Sequence, residues 1–143
     1  MKTLTTIFAL LSLIAISAQA SEGLERTPAP AGAEVYIISP QDGAHVHGPV
    51  TVLFGLKGMG VAPAGVDLPN TGHHHLLIDA EALPPMDVPM AASEHLMHFG
   101  KGQTEIELDL PKGQHTLQLI LGDKLHIPLQ PPVISKKVTI TVE

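Results

Sequence analysis

Nine histidines and no cysteine in 143 residues restrict the chemistry at the outset: imidazole nitrogen is plentiful and thiolate is absent. Three of the histidines are consecutive, in Asn70-Thr-Gly-His73-His74-His75-Leu76-Leu77-Ile78-Asp79. Asn-x-Gly is turn chemistry, and the apolar run behind it is too short for a helix before Pro84 and Pro85, so the stretch predicts a turn feeding a strand. Side chains alternate along a strand, which puts His73 and His75 on one face with Cβ atoms roughly 6–7 Å apart. His74 goes to the other face with Leu76 and Ile78, the side expected to meet the core. Two imidazoles at i and i+2 can converge on one transition-metal ion, and a closed site needs one or two more ligands. The chain supplies candidates in His95 and His98, and in His126. If Ala91 to Met97 forms a short helical turn, the i,i+3 spacing of His95 and His98 brings both rings to one side. Asp79 and Asp123 are candidate partners to orient a ligand ring. A histidine-only site suits Zn(II) or Cu(II), while Met86, Met90 and Met97 extend the choice to Cu(I), because a thioether is a soft ligand.

The other histidines invite a plainer reading. His115 lies on the leucine face of its strand and, like His74, is expected at the edge of the core with its ring bonded to backbone. His45 and His47 flank a turn before Gly48-Pro49 and are expected in solvent. On this alternative reading the histidines brace loops, the methionines fill gaps, and the domain is a non-enzymatic scaffold or protein-binding module without metal.

An enzyme is the least supported class. Glu94-His95-x-x-His98 has the pieces of a zinc-protease motif in the wrong order. There is no Gly-x-Ser-x-Gly elbow, no thiol and no glycine-rich loop leading into a helix. Metal-assisted hydrolysis would have Glu94 or Asp79 as its base.

The elements that must position these residues begin after a leader. Met1-Lys2, the apolar run Ile7 to Ile16 and Ala18-Gln-Ala20 read as a secretory signal peptide over residues 1–20, cleaved after Ala20. Residues 21–33, with Pro28, Pro30 and Gly32, read as a flexible leader. Residues 34–143 are expected to form one domain, and the lack of cysteine fits the bacterial periplasm better than a disulfide-rich exterior. Removing Lys2 changes the net charge from −6 to −7, with histidines neutral. No basic patch exists to meet nucleic acid or anionic lipid, and the absence of Trp leaves few stacking platforms. No segment beyond the signal is expected to span a membrane, and any protein partner is unidentified.

Alternating patterns mark strands at Glu34–Ile38, Val50–Leu56, the triple-histidine stretch, Thr104–Leu110, His115–Leu121 and Val138–Val142. Between Ala80 and Gly102 runs one long irregular loop carrying Met86, Met90, His95, Met97 and His98. Short strands without a long amphipathic helix predict an all-β fold: an antiparallel β-sandwich of immunoglobulin-like topology.

Four motifs carry a resemblance over Val35 to Val142. They are His73 to Asp79, His98-Phe-Gly-Lys-Gly-Gln-Thr-Glu105, Gly113-Gln-His-Thr-Leu-Gln-Leu119, and Gly122-Asp123 followed by His126-Ile-Pro128 and Pro131-Pro132. Together they are similar to an uncharacterised family of secreted bacterial domains, a domain of unknown function. The resemblance implies an exported β-domain and supplies no activity. Leu129 stands where that family often has a further histidine, which removes one possible ligand.

Overall fold

The computed structural model describes residues 24–143, and the expected signal peptide lies outside them. Among the described residues nine strands form two sheets: β1 (Glu34–Ser39), β2 (His45–Val46), β3 (Val50–Lys57), β4 (Gly60–Val61), β5 (Thr71–Ile78), β6 (Leu96–His98), β7 (Glu105–Leu108), β8 (Gly113–Gly122) and β9 (Val138–Val142). The smaller sheet has the order β1-β3-β7. The larger runs β2-β9-β8-β5-β4, with β6 also paired to β5. The expected all-β sandwich is present. Its pairings are antiparallel except β2 with β9 and β4 with β5, which are parallel. Among the described residues no helix is long and apolar enough to cross a membrane.

Alternation explains the layers. Val52 and Phe54 of β3, Leu76 of β5, Leu117, Leu119 and Leu121 of β8 and Ile140 of β9 meet between the sheets as the main core. Burying each such side chain is worth about 1.5–3 kcal/mol. Glu105 and Glu107 of β7 point outward, as expected for a strand with one wet face.

The larger sheet is covered on its outer face as well. Leu77, Leu96, Ile120 and Met90 form a second, smaller core there, with Met86 and Ile134 packed against it. The irregular loop after β5 is its lid, which is why β5 is buried on both faces from Gly72 to Ile78. A buried strand in the middle of a sheet offers its outward side chains a site screened from water.

Two local expectations need correction. Leu96 to His98 is not part of a helical turn but a strand antiparallel to β5, with His98 opposite His75 and Leu96 opposite Leu77. Pairing to an open edge of β5 satisfies more backbone groups than one isolated turn can. The expected flexible leader is tied down from Arg26 onward. Ala29 donates its amide to Gln130 O at 2.8 Å and Gln130 donates to Thr27 O at 2.9 Å. The Arg26 guanidinium donates to the carbonyls of Pro128 and Leu129. The folded unit therefore starts earlier than residue 34.

Candidate metal centre

His73 and His75 project from β5 onto the outer face of the larger sheet, under the second core's rim. Their ring centroids are 4.8 Å apart. Cross-strand pairing adds the third ring, since His98 on β6 opposes His75 and its centroid lies 5.1 Å from both strand histidines. The fourth is His126, from the loop after β8. Its centroid stands 5.0 Å from His73 and 4.6 Å from His98. One nitrogen from each of His73, His75, His98 and His126 can be chosen so that all four lie within 4.8 Å of one another.

His126 reaches the site through backbone rather than sequence spacing. Its φ is +65°, a left-handed conformation that costs a non-glycine residue roughly 1 kcal/mol or more and persists where surroundings impose it. Asp123 imposes it. Its Oδ1 accepts the amides of Leu125 at 2.8 Å and Ile127 at 3.0 Å, folding the chain tightly around His126. Thr27 of the N-terminal strap donates its hydroxyl to Oδ2 at 2.7 Å. A second tie joins the segment after His98 to the one before His126: Ala64 donates its amide to Gly100 O at 2.9 Å and Gly65 donates to Lys124 O at 3.0 Å. Consecutive residues thus tie the end of β6 to the His126 loop.

Two glycines make room. A Cβ on Gly122 would stand 2.7 Å from Cε1 of His75 and 3.0 Å from Cε of Met90. A Cβ on Gly100 would run into the His98 ring. Neither position needs a left-handed backbone; both need space for a ligand.

The electrostatics favour free ligand nitrogens. Burial lowers His75 to about 3, with the neighbouring His73, His98 and His126 rings adding to the effect. Burial likewise lowers His73 to about 4, reinforced by His126 and His98 and opposed by the Asp123 carboxylate. His98, nearer solvent, is lowered by desolvation and by His126. These imidazoles are neutral at physiological pH, the form that binds a metal. Yet Nδ1 of His73 and both ring nitrogens of His75 are buried without a hydrogen-bond partner. A buried polar atom left unpaired costs about 1–3 kcal/mol, a cost that a coordinated ion would offset. His73 Nε2 and His126 Nδ1 are 3.0 Å apart, one ring donating to the other. Tetrahedral zinc holds its ligand nitrogens roughly 3.3 Å apart, so a set spread over as much as 4.8 Å would have to contract around an ion.

Four of the five expected ligands come together, and His95 does not join them. Its Nδ1 bonds Ile78 O at 2.9 Å, because the extended backbone of β6 breaks the helical spacing that would have paired it with His98. Asp79 is no partner of the cluster either. It accepts from His115 Nδ1 at 2.7 Å and from the Thr116 amide at 2.8 Å. His115 also donates Nε2–H to Pro111 O at 2.8 Å, so it is a core-edge histidine with both nitrogens engaged. His74 is on the core side as expected, but it packs on Phe54 with centroids 5.2 Å apart and neither nitrogen has a hydrogen-bond partner. His45 and His47 are exposed beside Glu143.

Sequence reasoning missed the clearance at Gly100 and Gly122, the strap through Thr27 and the backbone role of Asp123. A glycine two residues after His98 and another directly before Asp123 were the available signals.

A family model described as Domain of unknown function (DUF4399) matches residues 52–143. The chain belongs to this family. The DUF4399 match includes all four clustered histidines together with Gly100, Gly122 and Asp123, and it excludes Thr27 and the rest of the strap. Searches of curated proteins and of solved structures give no match.

Proposed function

We propose that this protein is an exported, periplasmic metal-binding domain that holds one transition-metal ion, Zn(II) or Cu(II), through His73, His75, His98 and His126. One observation carries the reading: four imidazoles from three separate chain segments converge within 4.8 Å, and the two deepest have nitrogens with no other partner. Of the two histidines expected at the core, His115 engages both nitrogens and His74 neither, so it is the convergence of four rings, more than any unpaired nitrogen, that marks the cluster. Four protein ligands suffice for a closed tetrahedral shell around Zn(II), which favours binding over catalysis.

The alternative, a metal-free module whose histidines brace loops, draws on the bond between His73 and His126. Thermal unfolding of the purified protein with and without Zn(II) or Cu(II) separates the two. A metal site gives a saturable rise in Tm at one equivalent. A purely bracing role gives no rise.

A further inference from the structure

The three methionines near the histidines in sequence have separate fates. Met97 packs against the core between the sheets, on the face away from the cluster. Met86 packs at the edge of the second core. Met90 is buried and touches the site through both backbone and side chain. Its amide donates to His126 O at 2.9 Å. Its methyl Cε shares with Cε1 and Nδ1 of His75 the space that a side chain at Gly122 would fill. The methyl end of the Met90 side chain therefore borders the space beside the most deeply buried ligand, while its own backbone holds the loop of the most strained one.

The donor set contains four imidazoles and neither carboxylate nor thiolate, and the methionine whose methyl borders it is Met90. Among divalent first-row ions Cu(II) binds nitrogen donors most tightly, and thioether sulfur suits Cu(I). Resting on the metal site proposed above, we infer that the ion is copper and that Met90 is the soft donor that extends the site to Cu(I). The inference concerns affinity for each oxidation state and requires no redox step by the protein.

Leucine has nearly the volume of methionine and no sulfur, so Met90→Leu keeps the packing and removes the donor. Cu(I) affinity is read anaerobically by competition with a chromogenic Cu(I) chelator, and Zn(II) and Cu(II) affinity on the same preparations. The expected result is displacement of Zn(II) by equimolar Cu(II), and at least a tenfold loss of Cu(I) affinity in Met90→Leu. Zn(II) and Cu(II) affinity should then change less than threefold, with the metal-free Tm unchanged. Equal Cu(I) affinity in the two proteins, a uniform loss for all three ions, or Zn(II) held against Cu(II) would overturn the inference while leaving the four-histidine site standing. No uptake of any of the three ions would remove that site as well.

Discussion

Thr27 and Asp123, 96 residues apart, are joined by a 2.7 Å hydrogen bond that connects the N-terminal strap to the loop bearing His126. Through it a residue outside the matched family region supports a ligand inside it. Losing a hydrogen bond made directly to a ligand typically lowers metal affinity 10–100-fold, and Thr27 acts one bond further out, so the low end of that range applies. Thr27→Val should weaken Zn(II) binding about tenfold, and Thr27→Ser should restore it. A loss of Tm equal in the metal-free and metal-loaded protein, with affinity unchanged, would show a bond serving only the fold.

Gly122 tests the space around His75. In Gly122→Ala the new methyl must displace either the imidazole or the Met90 side chain. Overpacking of this sort costs about 1–3 kcal/mol, measurable as a lower urea midpoint. Metal affinity should fall further than stability does, since one ring position is lost to the ligand set. Isothermal titration beside denaturation checks both halves.

Acid should destabilise the metal-free fold through its buried histidines. His73 and His74 are lowered to about 4 and His75 to about 3, each chiefly by burial. The unfolded chain takes up protons near pH 6.5, whereas the folded one refuses them until its lower values are reached. Stability is therefore fully present above pH 6.5 and declines from there to about pH 4, by about 1.4 kcal/mol per pH unit for each such group. Urea midpoints between pH 7.5 and 4.5 read this slope. A flat profile would contradict the burial of these rings as neutral groups.

His115 should behave oppositely. Desolvation pulls it down, but the hydrogen bonds to Asp79 and Pro111 O outweigh that and raise it, while Asp79 is lowered despite its own desolvation by the same partner. Both ring nitrogens face acceptors, so the charged form fits the site. In an NMR titration His115 should still be protonated at a pH where His73 and His75 are neutral. Asp79→Asn, an exchange its φ of +50° tolerates, should return His115 toward or below its ordinary value.

Much of this arrangement was legible in the residues. Alternation at His73, His74 and His75 gave the faces correctly, and scarcity of helix-compatible runs gave the sandwich. His95 and His98 show where local reasoning ends. Their spacing suits a helix, yet an unpaired edge of β5 was available, and sheet pairing overrode the local preference. His126 was a candidate only by type. What aims it is a turn wrapped on Asp123 and braced by Thr27, contacts too remote in sequence for any periodic pattern to report.

Metal content after purification, dialysis against one equivalent of Cu(II) or Zn(II), and exhaustive washing decides whether the four imidazoles hold an ion. One tightly held ion per chain is expected in the wild type and in His95→Ala, and none in the His73→Ala/His75→Ala double variant. A wild type that retains no ion, or a double variant that retains as much as the wild type, would contradict the four-histidine site.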